Sequence, residues 1–346
     1  MSWYRHGFPL ILILALCTGC GQQSTSSDPT ERAVFAMDTY ITMQAYGSEA
    51  EPALEEAEHL IRRLESRFSV TDESSEIYTA NHSGGEPVII SNDTALLIDF
   101  ALSMAHQTNG ALEPTIYPVL TAWGFTTDEY HIPAQDELDN LLPLVNCRNI
   151  DLTDTMVTVP DGMQLDLGAV AKGYTGDKVA ELLRDRGVTS ALINLGGNVQ
   201  AVGSKPDGSP WRVGVRDPFT DGNLGVLEIK DTAVVTSGGY ERYFTDEDGN
   251  VYWHILNPET GCPARSGLVS VTVVAPEGKL CDALSTALFV MGPEEAVQFW
   301  RDRQDFEMLL VDETGGIYLT EGLESTFSRS ANAEDMEVTV IRHEAK

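Results

Sequence analysis

Asp166 and Lys172 lie within seven residues of each other in Asp166-Leu-Gly-Ala-Val-Ala-Lys-Gly-Tyr174, with Gly168 between them and Gly173 following. A carboxylate, a glycine-freed backbone and a lysine in this order suit a ligand that is both anionic and metal-bound. Glycine lets the main chain approach a ligand closely, and amides at a helix start can face phosphate. A Gly-rich turn with a solvated lysine is also common, so this stretch alone leaves the plain structural reading open. A second pair supports related chemistry. Asp282 and Thr286 are four apart on a predicted helix, so they share a face one turn apart and can grip a single cation. The same spacing also fits a carboxylate stabilising a helix start, with Thr286 bonded to its own backbone. Spacing does not choose between them.

The wider series is more specific. Met37-Asp-Thr39, the Asp166 stretch, Asn194-Leu-Gly-Gly-Asn198, Ser237-Gly-Gly-Tyr-Glu-Arg-Tyr243, His254-Ile-Leu-Asn-Pro258 with Gly261 and Pro263, and Asp282-Ala-Leu-Ser-Thr286 follow in this order. Together they resemble the ApbE family of FAD:protein FMN transferases, over roughly residues 33–320. The resemblance implies Mg2+-dependent transfer of FMN from FAD to a Thr or Ser hydroxyl of an acceptor protein, with AMP released. It implies Mg2+ held by Asp282, Thr286 and the Ala169 carbonyl, which are hard oxygen donors. Asp166 and Lys172 are expected to line the FAD site, Met37 and Ile255 to flank the flavin, and Ala111-Leu112-Glu113 to lie near the adenine and ribose. Family members have Ala-Phe-Asp at the last position, so Glu113 is one methylene longer. Where the family often stacks a tyrosine on the flavin, this chain has Thr71; Tyr78 and Trp123 are the nearest aromatic residues. A base must take the acceptor proton. Of seven histidines, His254 is the one inside a motif; the alternative is that it orients the loop to Pro258 while Asp282 or a metal-bound oxygen accepts the proton. The expected partner is a flavoprotein subunit of a membrane electron-transfer complex, of the sodium-pumping or Rnf type. An FAD pyrophosphatase and a non-catalytic flavin-binding lipoprotein are the alternative readings.

Positioning these groups requires an α+β fold. Residues 50–68 form an amphipathic pattern, with Ala53, Leu54, Ala57, Leu60, Ile61, Leu64 and Phe68 at helical spacing. Further helices are expected at 92–107 (capped by Asn92), 136–144, 176–186, 278–291 and 293–302. Residues 34–46 read as one strand carrying Met37, and 163–167 as a strand-like run. Hairpins are expected over 145–159, turning near Asp154, over 240–255 and over 306–320. The remaining strands, at 191–194, 199–203, 211–215, 225–229, 233–237 and 269–274, read as mostly antiparallel, unlike a doubly wound dinucleotide fold. The resemblance implies two intimate sheet-and-helix lobes with FAD in the cleft between them.

The ends suggest delivery to a membrane surface. Arg5 and His6 precede an apolar run from Leu10 to Leu16, closed by Thr18-Gly19-Cys20. The run is too short for a spanning helix and has the order of a signal peptide. Cys20 after Gly19 suggests a lipoprotein cleaved before Cys20 and acylated on it, with 1–19 removed and 20–31 a polar tether; Cys17 departs from the usual aliphatic residue of such sites. The expected domain is 32–325, followed by an extension at 326–346 with a strand at 337–341. The expected location is extracytoplasmic, lipid-anchored to a bacterial membrane. A net charge of −31 argues against nucleic acid and against electrostatic binding to anionic lipid. Beyond Cys20, the scattered Cys147, Cys262 and Cys281 fit neither a disulfide framework nor a metal pattern.

Overall fold

Nine strands lie side by side in chain order: Thr30–Ala36, Thr39–Ala45, Ala191–Leu195, Asn198–Val202, Ala233–Gly238, Leu268–Ala275, Glu307–Asp312, Ile317–Thr320 and Val338–Ile341. Every neighbouring pair is antiparallel except the last, which is parallel. The computed structural model describes residues 28–127, 129–333 and 336–343. Cys20, the signal segment and most of the tether therefore lie outside the described residues. Among those described, no helix is long and apolar enough to cross a membrane.

The long excursion between the second and third strands supplies most of the helical layer. Ala50–Phe68 buries the apolar stripe read from its spacing, and its residues share a core with Val34, Ile41 and Met43 of the first hairpin. Gly168–Asp185 and Gly278–Met291 also lie on this face. They cross where neither has a side chain: a Cβ on Gly173 would sit 2.3 Å from the Gly278 carbonyl oxygen. The opposite face carries a three-stranded sheet ordered Phe327–Arg329, Asn223–Ile229, Trp211–Arg216. Trp211, Leu224 and Leu227 meet Val199, Ala201 and Val311 there in a second core.

The α+β architecture is the one expected, but several local elements differ. Residues 34–46 are a hairpin and not one strand, because Met37 and Asp38 both adopt left-handed backbone, at φ 53° and 56°. Asp38 is the one turn-forming residue type there, with no Gly or Asn beside it, so residue type gave only a weak signal. Residues 163–167 lack strand pairing, and the following helix starts at Gly168, before the expected 176. Ser91, not Asn92, caps Asn92–Gln107 through its side chain. Short helices at Glu76–Asn81 and Tyr117–Ala122 were not expected. The hairpin at 145–159 contracts to Asp151–Thr153 and Met156–Thr158, turning at Asp154. The segment after 325 is stitched into both sheets, since Phe327–Arg329 pairs with Asn223–Ile229 and Val338–Ile341 extends the nine-stranded sheet.

Candidate active site

The turn of the first hairpin is fixed from two sides. The Met37 N–H donates to Glu65 Oε1 at 2.6 Å. Thr39 packs on Gly196 so closely that a Cβ there would meet Thr39 Oγ1 at 2.0 Å, and Gly196 also needs φ 61°. Asn194 Oδ1 then accepts from Gly197 N–H at 2.8 Å. Two motifs more than 150 residues apart in sequence thus form one rigid corner, and Gly196 is required by both sterics and backbone.

The Asp166 loop is held by polar contacts that replace strand pairing. Asn81 brackets Leu165, donating to its carbonyl at 2.8 Å and accepting from its N–H at 2.7 Å. The Asp166 N–H donates to Pro114 O at 2.7 Å, and its Oδ1 accepts from Gly168 N–H at 2.8 Å. Burial pushes the Asp166 carboxyl up, while the Gly168 N–H and the cations Lys172 and Arg242 pull it back. Lys172 Nζ reaches the Gly168 carbonyl at 3.5 Å.

Asp282 is buried and held at the helix crossing. The Gly173 N–H donates to Asp282 Oδ2 at 2.9 Å. The carboxylate is thereby brought to the second turn of Gly168–Asp185, one turn past Ala169. Asp177, on the same helix, accepts from the Gly278 and Lys279 N–H groups at 2.6 and 3.0 Å, which fixes the start of the Asp282 helix. Burial pushes Asp177 up to about 6 against those bonds. One turn beyond Asp282, Thr286 Oγ1 lies 3.4 Å from Ser237 Oγ, which also bonds to Ser285 Oγ at 2.8 Å. The Asp282 carboxylate, the Thr286 and Ser237 hydroxyls and the Ala169 carbonyl are all oxygen donors. Among the described residues no three His, Cys, Asp or Glu side chains gather to hold a metal. Carboxylate, hydroxyl and carbonyl oxygens are ligands that suit a hard cation such as Mg2+ better than zinc or copper.

His254 follows the strand Val251–Trp253, and its backbone N–H and Nδ1 both bond to the Arg242 carbonyl, at 3.1 and 3.2 Å. A carbonyl can only accept, so Nδ1 carries the proton and Nε2 is left as the basic nitrogen. Burial, then the charges of Arg242 and Lys172, lower the imidazole to about 4 against that hydrogen bond. Arg242 is tied back through Nη2 to Phe125 O at 2.7 Å, and the Phe125 ring meets the imidazole edge-on at 6.4 Å. Asp166 and His254 thus feel the same two cations.

The remaining expected residues are held by contacts of their own. Leu112 is buried. Both Glu113 oxygens are used internally, Oε1 by Thr115 N–H and hydroxyl and Oε2 by Cys147 N–H at 3.2 Å. A pocket of about 360 Å³ opens here, lined by Leu102, His106, Asn109, Glu113 and Arg148. It meets the expected site residues only at Glu113. Burial and Glu113 push the Cys147 thiol up to about 12, and Cys281 is raised by burial too, so neither is a ready nucleophile. Ile255 is buried in the main core, with its carbonyl taken by Ala264 N–H. Thr71 is exposed, Tyr78 stacks on His82 at 3.9 Å, and buried Trp123 donates to Gly261 O at 2.7 Å. The sequence reading missed Glu65 and Asn81, which have no local signature. Arg242 lay in a quoted motif without a role.

The ApbE family profile matches residues 37–310. Among curated relatives, the FAD:protein FMN transferase of Treponema pallidum (strain Nichols) is 33% identical over 332 residues, covering 89% of this chain and 91% of that protein. That of Klebsiella pneumoniae (strain 342) is 35% identical over 275 residues, covering 78% and 85%. The crystal structure of the ApbE protein from Thermotoga maritima MSB8 superposes with a TM-score of 0.81 at 33% identity, covering 86% of this chain and 99% of that one. The flavinyl transferase ApbE of Pseudomonas stutzeri superposes at 0.78 with 25% identity, covering 88% and 98%.

Proposed function

Because this chain belongs to the ApbE family, we propose that it is an FAD:protein FMN transferase and that the site above carries out the transfer. The observation that carries this reading is the Asp282 carboxylate, held by the Gly173 N–H one helical turn past Ala169, with Thr286 one turn further along its own helix. In the reaction the acceptor hydroxyl oxygen bonds to the FMN phosphorus of FAD, the pyrophosphate P–O bond breaks, and AMP leaves. The hydroxyl of a Thr or Ser gives its proton to His254 Nε2. With a folded-state value of about 4, His254 is neutral at working pH and ready to accept. Lys172 and Arg242 supply positive charge for the phosphates, which an acidic chain must concentrate locally. Asp166 and Met37 bound the FAD cleft, with Ile255 behind it and the Ala111-Leu112-Glu113 loop on the adenosine side. Ala169, Asp282 and Thr286 would hold Mg2+, which when bound neutralises charge developing on the transferred phosphoryl group.

Anchoring through acylated Cys20 would place the enzyme outside the cytoplasm, beside a membrane electron-transfer complex whose flavoprotein subunit it modifies. Support comes from the order of charge, apolar run and Gly19-Cys20 in the sequence. Cys20→Ser should move the protein from the membrane to the soluble fraction. The chemistry is tested by chromatography of FAD incubated with residues 21–346 and Mg2+, with and without acceptor. Acceptor-dependent AMP release that EDTA abolishes is expected. FMN and AMP released equally fast without acceptor would make the protein a pyrophosphatase, and intact FAD throughout would leave it a flavin-binding protein.

A further inference from the structure

Phe35 and Tyr40 are cross-strand partners one step behind the Met37-Asp38 turn, and they are 67% and 64% exposed. Single exposed apolar residues need no explanation, but a paired aromatic patch beside a functional site does. The patch is bare because the second sheet stops short of it. The core of that layer includes Tyr46, whose ring meets Trp211 at 6.2 Å, and Leu192, and among the described residues it takes in none from the first two strands. Ala33 and Thr42, the next pair in register on the same face, are exposed as well. The hairpin does not yield freely, since Glu65 and Gly196 pin its turn. The exposed charged residues of the hairpin and its turn are acidic. Glu31 and Asp38 are exposed, whereas Arg32, the single cation of the two strands, is turned to Glu51 and Glu58 on the helix side.

A transferase that modifies proteins must receive a second chain at this cleft, and the patch is continuous with the turn that carries Met37. We propose that the outer face of this hairpin, centred on Phe35 and Tyr40 and edged by Glu31 and Asp38, is the docking surface for the acceptor protein. It takes an apolar side chain flanked by basic residues. Aromatic side chains give such contacts large area at low entropic cost, and the acidic edge steers the encounter. The inference rests on the transferase reading and adds to it how a folded acceptor is selected.

The test uses residues 21–346 carrying Phe35→Ser and Tyr40→Ser together. The probes are the unflavinylated flavoprotein domain of a sodium-pumping complex and a synthetic peptide of its Thr-bearing loop. Both side chains are exposed, so Tm should stay at the wild-type value. KM for the folded domain should rise about tenfold or more, with kcat, FAD affinity and KM for the peptide unchanged. For the wild type, KM for the domain should also rise with salt. An unchanged KM for the domain, with wild type active, overturns the docking surface alone. So does sedimentation showing a wild-type dimer that the double substitution makes monomeric while KM is unchanged, because the patch would then bind a second copy. Wild-type enzyme that modifies neither probe overturns the transferase reading and the docking surface with it.

Discussion

Gly173→Ala should uncouple Asp282 from the helix Gly168–Asp185, and the size of the effect follows from the crossing. The new Cβ would lie 2.3 Å from the Gly278 oxygen, 2.5 Å from its carbonyl carbon and 2.7 Å from Lys279 Cα. All three are backbone atoms near the start of the Asp282 helix, so no side-chain rotation can relieve the clash. Carbon contacts need about 3.5 Å, so the helices must part by roughly 1 Å. Overpacking of this kind costs about 1–3 kcal/mol. Weakening the bond from Gly173 N–H to a charged acceptor adds about 1.5–3 kcal/mol. For a domain this large each kcal/mol lowers Tm by about 2–4 °C. The catalytic effect is larger in proportion, since a misplacement of about 1 Å at a reacting centre lowers the rate roughly 100-fold. The assay is acceptor flavinylation across a Mg2+ titration, alongside calorimetry at each Mg2+ concentration. The expected outcome is a lower Tm, a higher Mg2+ requirement and a rate loss near two orders of magnitude. A lower Tm with unchanged kcat and Mg2+ dependence would refute the reasoning, because the crossing would then hold the fold without positioning Asp282.

Three further substitutions probe the same assembly. Asp282→Asn keeps an acceptor for Gly173 N–H, so the fold should survive; wild-type Tm should rise with Mg2+ while the variant's stays flat, which a thermal titration checks. His254→Gln should lower kcat by about 10²–10⁴-fold with FAD affinity retained. In the wild type, protonation of His254 removes the base only as pH falls toward about 4, so the rate should be flat from about pH 5 upward; a midpoint near the ordinary histidine value would contradict the placement. For Asp177, burial raises the folded value to about 6, above the unfolded one. The folded state therefore gains stability by binding a proton as pH falls through about 6, and that gain is lost as pH rises through it. Asp177→Asn, an acceptable helix cap, should thus compare better with wild type at pH 8 than at pH 5, by about 1–3 kcal/mol in denaturant unfolding. Equal differences at both pH values would remove the burial argument.

The sequence made the chemistry more legible than the means of holding it. The Ala50–Phe68 stripe, the antiparallel strands and the Asp282–Thr286 helix face all follow from periodicity, because burial selects apolar residues at a fixed interval. Contacts that join motifs leave no such trace. Asn81 holds Leu165 across 84 positions, and nothing near Asn81 announces it. The Met37 turn was only faintly marked because its left-handed residues are Met and Asp, imposed by Glu65 and by the room at Gly196. The glycines of the Asp166 stretch were read as ligand-facing, and Gly173 proves to be one that lets two helices touch. Glu113 looked like a lengthened ligand contact, and its oxygens are committed to Thr115 and Cys147. The C-terminal strands escaped assignment to the domain because short strands gain their stability from the sheets they join.

The most direct test of the transferase assignment is the intact mass of an acceptor flavoprotein domain after incubation with residues 21–346, FAD and Mg2+. The account predicts a gain equal to one FMN less one water, located on a Thr or Ser, absent with EDTA and absent with Asp282→Asn. An acceptor whose mass never changes while FAD is consumed to FMN and AMP would contradict it.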